Sequence, residues 1–222
     1  GIAFAPIWTE NDHRAEQAVA DFASKHSVPV SIVDSPVNPE TSPLKDIYVS
    51  YVGTDNTAAG QLLSSHIAGP ADGILVVRDS TSTPTWERYQ GVCAAQSQEL
   101  NIWNTTLEGA TGITGHLAGM SSIVFLTGHL LKEVLGSMEG YDVYTFDICS
   151  EYSSLLGEDS FLKGILVQNS LKMGSECVKD LLSAPQSKNH FISPIYFDAE
   201  TLENLPEEAR PIMEFLQGDH QE

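Results

Sequence analysis

Residues 47–79 read IYVSYVGTDNTAAGQLLSSHIAGPADGILVVRD, and this stretch decides the fold. Its pattern predicts a strand at Ile47–Val52, a helix near 57–68 and a second strand at Ile74–Val77. The second strand is a continuous apolar run, which is typical of a parallel sheet covered on both faces. A strand, a helix and a buried strand in succession indicate one β-α-β unit of an α/β protein.

The same alternation continues along the chain in both directions. Further strands are predicted at Ile2–Ala5, Val28–Val33, Ile102–Leu107, Ile123–Leu126, Val143–Phe146, Ile165–Val167 and Ile192–Phe197. Further helices are predicted near 11–25, 85–99, 129–138 and 170–183, whereas four glycines make 109–119 a poor helix. The pair Asp55-Asn56 is interpreted as a helix cap. In parallel sheets ligands bind beyond the carboxyl ends of the strands, so residues that follow strands are the first candidates for a site.

The charge of the chain limits its partners. The chain has 30 Asp and Glu but only 11 Lys and Arg, which gives a formal net charge of −19. Such a field repels phosphate backbones and anionic membrane surfaces, so we expect no nucleic-acid binding by these residues. With 41% hydrophobic residues the chain can form a core. No apolar run reaches the roughly 18–20 residues of a membrane-spanning helix.

Motifs for catalysis and metal binding were not found. The sequence has no G-x-S-x-G elbow, Walker loop or H-E-x-x-H motif, and the seven His show no metal-ligand spacing. We therefore expect no cofactor, no metal and no enzymatic activity. Cys93, Cys149 and Cys177 are interpreted as buried free thiols, although one disulfide remains possible.

Five motifs occur in an order and at spacings that are informative together. They are Tyr51–Asn56, Gly73–Asp79, Trp86–Gly91, Tyr141–Asp147 and Gly164–Gln168. This ordered set resembles the type I periplasmic binding protein superfamily, in particular its ribose- and galactose-binding-like branch. The related effector domains of LacI-type repressors share much of it. The resemblance extends from the start of the chain to about residue 197.

The resemblance implies an α/β fold of two lobes with parallel sheets and a ligand cleft between the lobes. The first lobe would comprise 1–54 plus 169–197, and the second 55–168 plus 198–222. The family also has two strand-helix units before the strand that here begins the chain. We therefore expect the first lobe to lack its N-terminal part, which a longer chain or a partner segment would supply.

Four residues match ligand-contacting positions of the family. By resemblance, Arg88 donates to sugar hydroxyls or a ring oxygen, Asp147 and Asp34 accept from hydroxyls, and Gln168 reaches the ligand from beside a chain crossing. Arg, Asp and Gln supply the bidentate partners that vicinal hydroxyls need. Each also has a simpler interpretation. The two acids suit strand-end turns, Arg88 a surface ion pair, and Gln168 a structural hydrogen bond.

Other positions depart from the family pattern. The strand at 123–126 is usually followed by an Asn-Asp pair, whose Asn contacts the ligand, but here Gly128-His129 follows it. His129 is a candidate replacement contact, or a structural residue at a helix start. Trp8 and Trp86 are candidates for stacking on a sugar face, or for packing alone.

The resulting functional prediction is a non-catalytic solute-binding protein. It would capture a small polar ligand, a sugar or sugar-like signal, in an interlobe cleft for ABC import or sensing. Its partner would be a membrane permease or a sensor, and its location periplasmic or extracellular. The alternative is the effector-binding domain of a LacI-type transcription regulator.

Overall fold

Parallel β-sheets with flanking helices form two separate units of the chain. The computed structural model describes residues 1–6, 13–38, 40–67, 73–96, 100–147, 152, 155–156, 160–183 and 188–218. Unit 1 comprises Gly1–Asp55 and Asn169–Ser193, and unit 2 comprises Asn56–Gln168 and Pro194–Glu222. The chain therefore passes from one unit to the other at 55/56, 168/169 and 193/194.

The elements are numbered in chain order. The strands are β1 (Ile2–Phe4), β2 (Val30–Val33), β3 (Tyr48–Gly53), β4 (Ile74–Asp79), β5 (Asn101–Thr105), β6 (Ser122–Phe125), β7 (Asp142–Phe146), β8 (Leu162–Val167), β9 (Lys188–Phe191) and β10 (Ile195–Phe197). The helices are α1 (Arg14–His26), α2 (Asn56–Ser65), α3 (Thr83–Ala95), α4 (Gly128–Val134), α5 (Ser170–Leu182), α6 (Ala199–Glu203) and α7 (Arg210–Gly218). Short 3₁₀ helices occupy Ala110–His116 and Leu135–Ser137.

The sheet of unit 1 has the order β1-β2-β3-β9, with every neighbouring pair parallel. Helix α1 buries Ala20 and Ala23 in one cluster with Ile32 of β2. Helix α5 buries Met173 and Cys177, which pack with Val52 and Ile192. The sheet is thus apolar on both faces, which explains its Val- and Ile-rich strands.

The sheet of unit 2 has the order β10-β8-β7-β6-β4-β5, parallel throughout except for the antiparallel pair of β10 and β8. Alternate residues enter two clusters. Val77 and Phe125 belong to one, and Val76 and Val124 to the other. Because successive side chains of a strand point to opposite faces, both faces of this sheet are buried. This confirms the predicted α/β class with parallel sheets.

The predicted strand at Ile192–Phe197 is a strand only in its last three residues. Strand β9 ends at Phe191 in unit 1, before the predicted range, and β10 begins at Ile195 in unit 2. Pro194 lies between them, and it cannot donate a ladder hydrogen bond. The third crossing is therefore at 193/194, whereas the sequence predicts it near 197/198.

Three further observations on the described residues concern their helices, their possible metal ligands and their cysteines. None of their helices is long and apolar enough to cross a membrane. They contain no group of three or more His, Cys, Asp or Glu that could hold a metal ion. Among them Cys177 is buried and Cys93 half-buried, and both thiols are free, whereas Cys149 lies outside the described residues.

Candidate ligand-binding site

The site in unit 2 starts from an unusually close contact between α2 and α3. A Cβ added to Gly60 would lie 2.0 Å from the carbonyl oxygen of Arg88, and one added to Gly91 would lie 2.0 Å from that of Thr57. Only glycine permits the two backbones to approach so closely at these points. The contact fixes the backbone of Arg88 against the first turns of α2.

The side chain of Arg88 is held by partners from three elements. Its Nε donates to Oδ1 of Asn56, the first residue of α2, at 2.9 Å. Its Nη1 donates to the carbonyl oxygen of Leu126 at 2.9 Å, and it lies 3.4 Å from Oδ2 of Asp147. The guanidinium also lies over the ring of Phe146, with 4.4 Å between Cζ and the ring centroid. These contacts satisfy a charged group whose side chain is only 5% exposed.

The site continues to two further residues that follow strands. Gln168 follows β8, and its Nε2 donates to Oδ1 of Asp147 at 3.1 Å. On the other side, Nδ2 of Asn56 donates to Oε2 of Glu87 at 3.1 Å. We call these five residues, Asn56, Glu87, Arg88, Asp147 and Gln168, the Arg88 network.

The Arg88 network lies at the carboxyl ends of adjacent strands. Leu126, Asp147 and Gln168 directly follow β6, β7 and β8, which are neighbours in the sheet, and α3 follows β4 on the other side of β6. This is the edge at which open α/β sheets bind ligands. Asp147 has φ of +59°, in the left-handed region that few residues other than Gly, Asn and Asp adopt. Such backbone positions cluster at functional sites.

Gly128 stands where the family pattern has a ligand-contacting Asn, and the packing explains the change. A Cβ at Gly128 would lie 3.0 Å from the carbonyl oxygens of both Phe146 and Asp147. The buried Tyr152 packs beside it and donates from its hydroxyl to the Gly128 carbonyl at 2.5 Å. A side chain at this position would crowd both carbonyl oxygens, which would have to shift by a few tenths of an ångström, and glycine avoids this crowding.

Asp34 holds the corresponding strand-end position in unit 1. It follows β2 with φ of +67°, and its N–H donates to the carbonyl of Val52 at 2.9 Å. The hydroxyl of Tyr51 donates to the Asp34 carbonyl at 2.9 Å. The carboxylate of Asp34 is exposed and accepts a long hydrogen bond of 3.3 Å from the hydroxyl of Ser35.

The remaining candidates lie apart from the described contacts of Arg88. Trp86 is 44% exposed and contacts Tyr89 and Arg78, with 5.0 Å between the Arg78 Cζ and its ring centroid. Because it precedes Arg88 by two helical residues, it faces another side of α3. His129 is exposed on the first turn of α4. Trp8 lies outside the described residues.

Sequence reasoning missed four contributors to the surroundings of Arg88. The sequence predicts Asn56 as a helix cap alone, and it does not identify Glu87, the Leu126 carbonyl or the Phe146 ring. A signal for Asn56 was present, because it lies just beyond the carboxyl end of β3 and begins a helix. The backbone carbonyl and the ring leave no comparable trace in the sequence.

The arrangement offers hydrogen-bond donors and acceptors side by side. The described hydrogen bonds of Arg88 use Nε and Nη1, and none of them uses Nη2. Asp147 is an acceptor with a 38% exposed side chain, and Gln168 is half-buried beside it. A guanidinium edge next to a carboxylate suits a pair of adjacent hydroxyls, each of which both donates and accepts.

Comparison with known proteins gives likenesses in structure. No protein-family model matches the chain, and no curated protein sequence matches it. An ABC transporter solute-binding protein from Agrobacterium vitis with bound D-fucose is similar over 86% of this chain and 73% of its own, with TM-score 0.68 and 19% identity. An ABC transporter periplasmic solute-binding protein from Actinobacillus succinogenes with bound D-allose is similar over 90% and 80%, with TM-score 0.66 and 18% identity.

A LacI transcriptional regulator from Lactobacillus brevis is also similar, over 89% of this chain and 77% of its own, with TM-score 0.63 and 15% identity. At these identities the likeness concerns the fold. It agrees with the superfamily that the ordered motifs of the sequence predict. The chain therefore shares the fold of these solute-binding proteins and of this regulator.

Proposed function

We propose that the protein is a solute-binding protein that captures a small polar ligand, a sugar or a sugar-like signal, for ABC import or for sensing. The observation that carries this proposal is the Arg88 network. A buried arginine with two of its nitrogens engaged stands beside a half-exposed carboxylate at the carboxyl ends of adjacent strands.

The chemistry of this site favours a neutral polyol over a charged ligand. The charge of Arg88 is balanced by Asp147, and the second carboxylate, that of Glu87, accepts from Asn56. The pair of Arg88 and Asp147 therefore presents hydrogen-bonding capacity with little net charge. A site of this kind discriminates strongly, because a ligand that lacks a hydroxyl leaves a buried polar group unpaired. The sugars bound to two proteins of the same fold, D-fucose and D-allose, belong to this class.

We propose further that binding leaves the ligand chemically unchanged. The Arg88 network contains no hydroxyl or thiol nucleophile. Its two carboxylates, those of Glu87 and Asp147, accept hydrogen bonds from neighbouring side chains. Incubation of the protein with each binding sugar, followed by chromatography, should return only the starting sugar. Release of a product at a rate proportional to protein concentration would contradict this.

The proposed location is the periplasm or the outside of the cell, and the proposed partner is a membrane permease or a sensor. Fractionation of the source cells checks the location. Crosslinking of the native protein in membranes, with and without sugar, checks the partner.

Calorimetry with pentoses, hexoses and polyols tests the binding itself. We expect at least one sugar to bind, and Arg88→Ala to weaken its binding by on the order of 2–4 kcal/mol, as loss of a buried charged contact usually does. Arg78→Ala is the matched control, because Arg78 lies in the same unit and contacts Trp86 and Asn104 instead of the Arg88 network. Equal binding by wild type and Arg88→Ala would place the site elsewhere.

The second candidate is the effector domain of a LacI-type regulator, and the similarity to the Lactobacillus brevis protein favours it. Cell fractionation separates the two proposals. A protein found in the cytoplasm, and released from DNA by its sugar, would support the regulator. A protein found in the periplasmic or extracellular fraction would support the solute-binding protein.

A further inference from the structure

Asn56 joins the candidate site to the place where the chain enters unit 2. It is the first residue of α2 and the first residue of unit 2 after the crossing at 55/56. Its side chain is buried, with the whole residue 7% exposed, and both ends of its amide are engaged. Gln168, at the opposite end of the Arg88 network, is the last residue before the crossing at 168/169.

The hydrogen bonds fix the orientation of the Asn56 amide. Arg88 Nε can only donate, so the atom of Asn56 that faces it at 2.9 Å is the carbonyl oxygen. The carboxylate of Glu87 accepts, so the atom that faces it at 3.1 Å is the amide nitrogen. Glu87 therefore holds Asn56 in the single orientation that presents an acceptor to Arg88.

The guanidinium needs this support to face a ligand. The contact with the Phe146 ring, at 4.4 Å from Cζ to the ring centroid, does not by itself set the directions of the guanidinium nitrogens. The bond from Nε to Asn56 and the bond from Nη1 to Leu126 together fix the rotation of the guanidinium, and with it the direction of Nη2. Binding sites need their contact residues locked by such supporting hydrogen bonds.

We propose that Asn56 is a positioning residue for ligand binding, which holds the Arg88 guanidinium in its binding orientation while Glu87 holds Asn56. The inference deepens the proposed function and rests on it for the consequence to affinity. Its structural part, the restraint on Arg88, can be measured without any ligand.

The first test is the exchange of the Arg88 Nε proton with water, measured by NMR in the protein without sugar. In Asn56→Leu, which has a similar size but no hydrogen bonds, we expect exchange about tenfold faster or more, and sugar binding weakened by a similar factor. Asn101→Leu is the control, because Asn101 is exposed on β5 and outside the Arg88 network. An unchanged Nε proton in Asn56→Leu would overturn the inference.

The second test exchanges the amide at position 56 with the carboxylate at position 87, so that the total charge of the two residues stays the same. Asn56→Asp alone puts two carboxylates side by side. It should therefore speed the exchange of the Arg88 Nε proton and weaken sugar binding. Adding Glu87→Gln restores a donor that faces the new Asp and leaves an acceptor for Arg88. We expect this double variant to return to within about threefold of wild type in both Nε exchange and affinity.

The outcomes separate the inference from the function on which it rests. Failure of the double variant to recover would show that Asn56 has a general structural role, and would overturn positioning. This test also stands if Asn56→Leu does not fold. If the wild type binds no sugar in the panel, the proposed function fails, and Nε exchange still decides whether Asn56 restrains Arg88.

Discussion

Asp34 in unit 1 and Asp147 in unit 2 occupy the same structural position but have different surroundings. Each follows a parallel strand, has a positive φ, and donates its N–H to a carbonyl of the neighbouring strand at 2.9 Å, from Asp34 to Val52 and from Asp147 to Leu166. The carboxylate of Asp147 is bound by Arg88 and Gln168. The carboxylate of Asp34 is exposed and has a long contact with Ser35.

The difference shows that a strand-end Asp with positive φ does not by itself bring charged partners to its carboxylate. A strand-end Asp with positive φ aims a carboxylate at the ligand edge of the sheet in both units. Unit 2 differs because α2 and α3 pack closely at Gly60 and Gly91, and Arg88 of α3 lies beside the carboxylate of Asp147. Substitutions in both units test this contrast, and they follow from the largest expected effect to the smallest.

Removing Arg88 should have the largest effect. Arg88→Ala leaves the oxygens of Asn56 and Leu126 without their donor, and Asp147 without its counter-charge. We expect sugar affinity to fall by on the order of 2–4 kcal/mol, measured by calorimetry. If Asp34→Ala costs as much as Arg88→Ala, the contrast between the two units is wrong.

Filling the helix contact should have the next largest effect. Gly91→Ala introduces a Cβ 2.0 Å from a backbone carbonyl, and we expect a loss of about 1–3 kcal/mol in the free energy of unfolding, from denaturant titration. Gly174→Ala in α5 of unit 1 is the matched control, since nothing lies within 4 Å of its Cβ. That change should stabilise by about 0.5–1 kcal/mol, and stabilisation by both would refute the close contact.

Neutralising the two strand-end acids should give smaller and unequal effects. Asparagine tolerates positive φ, so Asp147→Asn and Asp34→Asn keep the backbone. We expect Asp147→Asn to weaken sugar binding by about 1–2 kcal/mol, through loss of a charged hydrogen-bond partner. For Asp34→Asn we expect a change within about 0.5 kcal/mol in stability and a smaller loss of affinity than for Asp147→Asn. The reverse order would assign the main contact to unit 1.

The two described thiols should differ in reactivity, with no effect on binding. Burial raises the pKa of the Cys177 thiol above its ordinary value, so its thiolate fraction at neutral pH is small. In a Cys149→Ser background we expect an aromatic disulfide reagent to modify the half-buried Cys93 first. The rate at Cys177 should rise only at higher pH or on unfolding. Faster modification of Cys177 would show that α5 opens in the native protein.

The fold followed from the sequence through its periodicity. Apolar runs such as Ile74–Val77 predict strands covered on both faces, and the unit 2 sheet confirms this by burying alternate residues of β4 in two clusters. The error at 192–197 arose because one apolar segment continues across a crossing between units, and Pro194 is the only local sign of the break. A hydrophobic pattern predicts that a residue is buried, but it does not predict in which of the two units the residue is buried.

The candidate site was predictable only in part. Arg88, Asp147 and Gln168 were proposed by resemblance, and the structure brings these three together by hydrogen bonds. Whether they bind a ligand stays a prediction. Trp86 and His129 were proposed for the same site and have no described contact with the Arg88 network. The sequence does carry a sign that sets Trp86 apart from Arg88. The two residues are two positions apart on α3, and helical periodicity therefore places them on different sides of the helix.

The sequence by itself determined the α/β class, the strand-end positions of the two acids and the balance of charge. These depend on local pattern and composition, which a single chain carries in full. Only the tertiary structure decided that Asn56 and the Leu126 carbonyl hold Arg88, and that the Tyr152 hydroxyl donates to the Gly128 carbonyl. Those contacts join residues 24 to 38 positions apart in the chain, and only the packing of helix on helix and strand on strand sets such distances.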